Sequence, residues 1–577
     1  MQNDVVFKIG GEGGEGVISC GEILTLACAR MGNEIYTFRS YPAEIKGGYA
    51  MFQVRTSHEA LLSQGSSADV LVCFNQEAYD RNIKDIRKED SVLIYDSTSC
   101  QPREGHPEIT YPVPASDLAR LEMRNYLTKN VIFLGVLSKL FGIDYAILEI
   151  IIKQKLGKKG DAILNLNFQA LKKGYQYVEQ NFTKKDSYFV VPQKSENRIV
   201  LSGNQALAAG AIAAGCRFYA GYPITPATDI MEFLARELPK FGGAVVQAED
   251  EIAALSMVLG ASYTGAKAMT ASSGPGISLM AELIGLAGMA ELPAVIVDCQ
   301  RAGPSTGMPT KTEQSDLNHA LYAGHGEIPR IVMALSSVED AFFGIIRAFN
   351  YAVRCQVPVI VLSDQYLAQR TATIRRPDLS KVVIEERAKP SAQDMENYKR
   401  FRFTETGVSP MALPGEKGGV YTATGIEHDE GCELSYEPEN HQRMTEKRFK
   451  KLNLVLKGAE LYRRHGSEDQ EIGIVGWGSS EGVIREAVEK ANKQGLKVAA
   501  FHPKVLFPML PELEVFIKSC KKVIVAELNY TGQFAREIRA RFGVSVISHT
   551  KLAGLPFTPD EILKKIEEVH DQIASKV

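Results

Sequence analysis

Four short clusters between positions 220 and 304 carry residue types that chemistry on a small polar ligand requires. Ala220-Gly-Tyr-Pro-Ile-Thr-Pro226 flanks Thr225 with Pro223 and Pro226, which fix φ on either side and bias Thr225 towards an extended backbone. A hydroxyl held that rigidly suits hydrogen bonding to a polar ligand. Its alternative use is to cap the helix expected from Asp229 to Leu238. Gln247-Ala-Glu-Asp-Glu251 places Glu249, Asp250 and Glu251 at a helix start, where the macrodipole favours acids whatever else they do. Thr270-Ala-Ser-Ser-Gly-Pro-Gly276 is a Gly-rich turn, and Asp298-Cys-Gln-Arg-Ala-Gly-Pro304 sets Arg301 just past a strand. A long polar loop, 303–314, follows without regular pattern, as functional loops often do.

Each cluster follows an apolar, strand-like run. In an open α/β sheet the carboxyl ends of the strands form the ligand-binding edge. If those ends converge, a Thr, a carboxylate, a Gly-rich turn and an Arg meet in one crevice.

A second candidate lies at the amino end. Val5–Ile9 reads as a strand, Val17–Met31 as a helix, and Gly11, Gly13 and Gly16 between them satisfy G-x-G-x-x-G, with Gly14 inside the same loop. Strand, Gly-rich turn and helix is the geometry that sets backbone N–H groups against a phosphate, and equally that of a tight turn under a closely packed helix. Glu12 and Glu15 count against a dinucleotide pyrophosphate there. Arg39 and Lys46, on the next turn, are either phosphate contacts or parts of a solvated loop. A nicotinamide-dependent dehydrogenase founded on Gly11–Gly16 is one reading of this end.

The 577 residues suggest about three to five domains. With 66 basic and 69 acidic residues the net charge is −3, which gives no reason to expect nucleic acid or a membrane as partner. The amino end has no signal-peptide pattern, and the weakly polar run 206–216 is too short to span a bilayer. Nine scattered cysteines without C-x-x-C predict no disulfide framework and no iron–sulfur or zinc site, so no metal is assigned to this chain and a reducing cytoplasm is its expected location. Alternating strands and helices predict an α/β protein of three α/β domains: 1–190, 197–385 and 461–577. A polar linker at 184–197 and an irregular connecting segment, 386–460, separate them. Glu427, His428, Asp429 and Glu430 in that segment read as a solvated turn, not a metal cluster.

The motifs G-Y-P-I-T-P (221–226), Q-A-E-D-E (247–251), T-A-S-S-G-P-G (270–276), Q-R-A-G-P-S-T-G (300–307) and P-T-K-T-E-Q-S-D-L (309–317) together resemble the alpha subunit of the 2-oxoacid:ferredoxin oxidoreductases, with the gamma component fused in front. The resemblance implies a gamma-type domain, a domain for the pyrimidine end of thiamine diphosphate, and a domain like the carboxyl-terminal one of transketolase. It implies Glu249, by motif position, as the carboxylate on the pyrimidine nitrogen, with Glu251 the other candidate. Tyr222, Pro223, Ser273 and Gly274 would line the cofactor, while Thr225 and Arg301 would hold the 2-keto acid. An Arg suits a carboxylate because its planar fork can pair bidentately. Coenzyme A is expected near Gly11, Gly13, Gly14, Gly16 and Lys46.

The activity implied is oxidative decarboxylation to an acyl-coenzyme A, with electrons passed to ferredoxin and reversibility left open. The fused gamma domain and the P-T-K-T-E-Q loop lean towards 2-oxoglutarate, with Lys311 either a partner for the distal carboxylate or a surface lysine. Pyruvate and branched-chain 2-oxoacids are the alternatives, and a catalytically silent scaffold is a further reading. No G-D-G with a following Asn for diphosphate and Mg2+ occurs in the chain. The resemblance implies a beta subunit that supplies that half-site and a 4Fe–4S cluster, in a heterodimer of heterodimers.

Overall fold

The computed structural model describes residues 3–575 apart from 43–46, 88, 195 and 459. It divides into two compact units, Met1–Leu201 with Gln369–Arg376 and Thr558–Asp560, and Ser202–Ala368 with Pro377–Phe557 and Glu561–Val577. No helix among the described residues is long and apolar enough to cross a membrane.

The first unit is built on an eight-stranded mixed sheet. Its strands run Ile109–Val113, Val92–Asp96, Val70–Cys73, Val5–Glu12, Tyr49–Ser57, Glu34–Ser40, Thr371–Arg375 and Arg198–Ser202 from edge to edge. The first strand extends past Ile9, because Gly10 and Gly11 pair with Met51 and Ala50. Helices Val17–Arg30, Lys129–Phe141, Tyr145–Leu156 and Asp161–Asn181 supply the apolar side chains that fill its core.

Two expectations about the ends of this unit change. Thr371–Arg375, expected in the second domain, pairs antiparallel with Glu34–Ser40, and Thr371 N donates to Thr37 Oγ1 at 2.8 Å. The segment 184–197 is more than a polar linker: Tyr188 and Val190 are buried, and Val190 N donates to Phe141 O at 2.9 Å.

The second unit holds two sheets. In the larger, Ile331–Ala334, Pro358–Asp364, Ala294–Gln300, Lys267–Ser272, Cys216–Gly221 and Ala244–Gln247 run parallel in that spatial order. Its inner strands, such as Ala294–Gln300 and Pro358–Asp364, are buried along their whole length, as parallel strands covered on both faces must be. Val505–Phe507 adds an antiparallel edge, so the carboxyl-terminal segment contributes a strand to this sheet. The smaller sheet orders Tyr462–Gly466, Val498–Pro503, Ile472–Gly476, Lys522–Glu527 and Ile547–Thr550.

The connecting segment is less irregular than its composition suggests. Pro438–Lys450 is a helix that opens on proline, its apolar signal diluted by Lys, Arg and Glu. Lys447 and Lys451 reach the fully buried Glu291 at 2.5 and 2.8 Å, and Arg400 Nη2 donates to its carbonyl at 2.8 Å. The turn at 427–430 is not fully solvated either: His428 is buried with its ring 4.0 Å from that of Phe401, and Glu427 pairs with Arg448 at 2.6 Å. No cluster of three or more metal-ligating side chains exists among the described residues.

Candidate active site

Because Cys216–Gly221, Ala244–Gln247, Lys267–Ser272 and Ala294–Gln300 are parallel neighbours, the segments that follow them leave the sheet at one edge. This brings together the four clusters that the sequence singles out.

Arg301 lies at the end of its strand and is only 8% exposed. Its Nη1 donates to the carbonyl of Thr225 at 2.7 Å, while its Nε has no hydrogen-bond partner. No ion pair engages it among the described residues. A structural salt bridge therefore does not account for this guanidinium, and donors remain for an anion. The Thr225 side chain is not a helix cap: the helix Thr228–Glu237 starts later, with Ala227 at the cap position and no side-chain cap bond. Asn204 Nδ2 steadies the same turn by donating to Pro226 O at 2.7 Å.

The three acids of the second cluster have three different settings. Asp250 caps the helix Glu251–Tyr263, accepting from Ala253 N at 2.7 Å. Glu251 is buried and accepts from Ser272 Oγ at 3.1 Å. Glu249 is exposed. The glycines of the next turn allow close approach: a Cβ on Gly276 would lie 2.3 Å from Glu251 Oε1, and one on Gly274 would lie 2.8 Å from Asp316 Oδ2. Beside them Ser273 Oγ and Thr270 Oγ1 are buried without partners, although buried hydroxyls are ordinarily satisfied. Tyr222 is exposed and Pro223 half-buried at the rim.

Asp298 and Asp316 are two further acids, close enough to interact with each other. Asp298 is fully buried with neither carboxylate oxygen hydrogen-bonded; burial, and then the charge of Asp316, push it well above the usual carboxylate range. Burial and Glu313 push Asp316 up to about 6, against the pull of Arg301. Burial in turn lowers the pKa of Arg301, and Asp316 opposes that shift. Lys311 is half-buried on the loop beyond; its carbonyl accepts from Ala302 N at 3.0 Å, and a Cβ on Gly554 would lie 2.8 Å from its own Cβ.

The glycine loop of the first unit is organised from within. Glu12 N donates to Glu15 Oε2 at 2.8 Å, Gly13 N to Gly48 O at 2.8 Å, and Glu15 N to Glu12 O at 3.1 Å. Glu15 is buried against Tyr126 and Lys129, at 2.6 and 3.1 Å. Gly16 sits at φ +83°, and a Cβ there would lie 2.5 Å from Asn130 Nδ2. These amides are taken, and a carboxylate fills the turn, which is not the cradle a dinucleotide pyrophosphate needs. Gly11 packs under Val17 and Phe74, whereas around Gly14, at φ +103°, nothing lies within 4 Å. Lys46 lies outside the described residues.

A 2-oxoglutarate:ferredoxin oxidoreductase from Magnetococcus marinus, solved with 2-oxoglutarate, coenzyme A and succinyl-CoA bound, superposes with a TM-score of 0.93 at 45% identity, covering 98% of this chain and 100% of that one. This chain is an alpha subunit of the 2-oxoacid:ferredoxin oxidoreductase family. The 2-oxoglutarate oxidoreductase subunit KorA of Mycobacterium tuberculosis is 35% identical over 97% of this chain and 90% of its own length. The 2-oxoacid:ferredoxin oxidoreductase subunit alpha of a Sulfolobus species is 34% identical over 98% and 96%. Three family models match in succession. They are pyruvate ferredoxin/flavodoxin oxidoreductase over residues 6–177, pyruvate flavodoxin/ferredoxin oxidoreductase, thiamine diphosphate-binding, over 209–447, and pyruvate:ferredoxin oxidoreductase core domain II over 470–562.

As a member of this family the chain is an oxidoreductase acting on 2-oxoacids, and it contains the thiamine diphosphate-binding domain. The residues present fit the cofactor's pyrimidine: a buried carboxylate, two unpartnered buried hydroxyls and a glycine cradle stand together at the sheet edge. Sequence reasoning did not single out Asp298, Asp316, Ser272 or Gly276 as individual residues. All four lie inside the quoted motifs, but only the packing shows which side chains turn inwards and where a glycine gives them room.

Asp316 provides a test by pH. A carboxyl with a raised pKa holds its proton in the folded chain at pH values where the unfolded chain, near the ordinary 3.9, has lost it. Ionised Asp316 thus lowers stability above about pH 6 and has no such effect below about pH 4. Asp316→Asn is expected to melt at a higher temperature than wild type at pH 7.5, with the gap closing as the pH is lowered. Equal melting temperatures at pH 7.5 would contradict the raised value.

Proposed function

We propose that this chain is the alpha(gamma) subunit of a 2-oxoglutarate:ferredoxin oxidoreductase, which converts 2-oxoglutarate and coenzyme A to succinyl-CoA and CO2 and passes the electrons to ferredoxin. The observation that carries the reading is the buried Arg301 guanidinium, anchored by one bond to Thr225 and keeping donors for an acid. Bound thiamine diphosphate supplies a nucleophilic carbon and an electron sink for a decarboxylating 2-keto acid. Glu251 would hold the pyrimidine nitrogen by a hydrogen bond, since a buried carboxylate interacts more strongly than the exposed Glu249. Ser273 and Gly274 would line that ring, with Tyr222 and Pro223 at the rim. Arg301 pairs with the substrate carboxylate, and the Thr225 hydroxyl orients the keto group. Lys311 takes the distal carboxylate. The coenzyme A contact is assigned to the open face at Gly14.

The partner half of the site is a beta subunit bearing diphosphate, Mg2+ and a 4Fe–4S cluster, in a heterodimer of heterodimers. Two features support this. The chain has no G-D-G…Asn and no spaced cysteine set. The helix Glu251–Tyr263 beside the site exposes Ile252 and Met257, and Tyr222 and Leu279 are likewise exposed, an apolar rim suited to a protein partner. The cytoplasm remains the expected location.

Reconstitution with a beta subunit tests the reading: viologen reduction by 2-oxoglutarate should require coenzyme A, and its failure in a correctly assembled complex would overturn it. In that assay Glu251→Gln is expected to lower kcat by about a thousandfold and Glu249→Gln by less than about threefold. The reverse ranking would return the pyrimidine role to Glu249. Lys311→Ala is expected to lower kcat/KM for 2-oxoglutarate about tenfold or more while sparing pyruvate. Equal losses on both substrates would remove Lys311 from the distal carboxylate.

A further inference from the structure

Gln314 lies near the end of the polar loop, where the functional reading gives it no task. It is fully buried, and both its backbone and its side chain are engaged by the carboxyl-terminal sheet. Its N donates to Leu528 O at 2.7 Å, and its carbonyl accepts from Asn529 Nδ2 at 3.0 Å. Its Oε1 accepts from Leu528 N at 3.1 Å, and its Nε2 donates to Trp477 O at 2.8 Å. The side-chain amide thus acts as a peptide group inserted between two strand ends. Gly478 makes room for it: φ there is +60°, and a Cβ would lie 2.8 Å from Gln314 Nε2.

The receiving surface is itself braced. Glu527, fully buried, accepts from Phe534 N at 2.8 Å, Ala535 N at 3.0 Å and Asn529 Nδ2 at 3.0 Å. Two residues on from Gln314, the loop meets the active site. Asp316 N donates to Gln300 Oε1 at 3.1 Å, next to Arg301, and the Asp316 carboxylate packs on Gly274. Gln533 clamps the same stretch from the other side, donating to Ser315 O at 2.7 Å and accepting from Asn318 N at 2.9 Å. Between these ties and the strand end the loop is exposed from 303 to 308.

We propose that Gln314 is a positioning residue for 2-oxoacid binding: it fastens the loop to the carboxyl-terminal domain and so fixes the Asp316 carboxylate relative to Arg301. The proposal rests on the reading that Arg301 receives the substrate carboxylate. It gives the carboxyl-terminal domain a part in substrate binding, beyond packing. A neutral amide suits the task because it presents a donor and an acceptor without adding charge beside Glu313 and Asp316.

Gln314→Leu and Gln533→Leu, each in the complex with a beta subunit, test the proposal. Far-UV circular dichroism and the thermal melt of the full chain report whether each variant is folded. The expected result is a rise of about tenfold or more in KM for the 2-oxoacid with kcat changed by less than about threefold. Amides in 302–316 of the full chain should exchange hydrogen about tenfold faster than in wild type, because two buried hydrogen bonds are gone. The double variant should fall short of the product of the single effects, since both act on one loop. Unchanged exchange in a folded Gln314→Leu overturns the clamp. Faster exchange with unchanged KM overturns its role in binding. A wild-type complex that turns over no 2-oxoacid fails the functional reading instead, and the exchange result then still decides the clamp.

Discussion

A guanidinium held in a buried position by one carbonyl is the constraint on which the site depends. Removing Arg301 from water costs free energy that its bond to Thr225 O only partly returns, and its Nε has no protein partner. Asp316 offers opposite charge, yet it is itself held near the boundary of ionisation by burial and Glu313. The arrangement leaves a positive site incompletely neutralised, as preorganised recognition of an anion requires. The surroundings serve that arrangement: parallel strands bring Arg301 and Thr225 to one edge, the glycines at 274 and 276 admit two carboxylates, and Gln314 fastens the loop that carries Asp316.

On the proposed function the second unit supplies one wall of a crevice. Glu251, Ser273 and Thr270 offer polar groups for a ring, while Tyr222, Ile252, Met257 and Leu279 leave apolar surface exposed around it. A helix that is apolar on nearly every side is normally covered on every side. Its outward face at Ile252 and Met257 is consistent with a site completed by another chain, and alpha-type relatives named as subunits point the same way. The charged groups outside the site are handled differently. Glu291, with Lys447, Lys451 and Arg400, and Glu15, with Lys129, are buried acids whose partners lie within 3.1 Å, so they hold structure and keep no vacancy for a ligand.

Much of the site is legible in the sequence because strand-end motifs in an α/β protein converge by topology alone. Apolar runs ending in Thr225, Ser273 and Arg301 need only parallel pairing to meet, and the sheet supplies it. The choice between Glu249 and Glu251 is not legible. The two are separated by a helix cap, and only the placement of Asp250 at that cap turns Glu251 inwards. Thr371–Arg375 is short and polar enough to pass for a domain's trailing edge; its role depends on a partner strand more than three hundred residues earlier in the chain. Pro438–Lys450 hides because its buried Lys447 and Arg448 are satisfied by Glu291 and Glu427, contacts that composition does not reveal. The glycine loop misleads in the opposite sense: its spacing matches a phosphate cradle, while Glu15 and Gly48 occupy its amides.

The most direct measurement of the central claim is 2-oxoacid turnover by Arg301→Lys in the assembled complex. A lysine keeps the charge but loses the planar fork, so kcat/KM is expected to fall by about a hundredfold or more, chiefly through KM. Wild-type kcat/KM in a folded Arg301→Lys variant would contradict the assignment of this guanidinium to the substrate carboxylate.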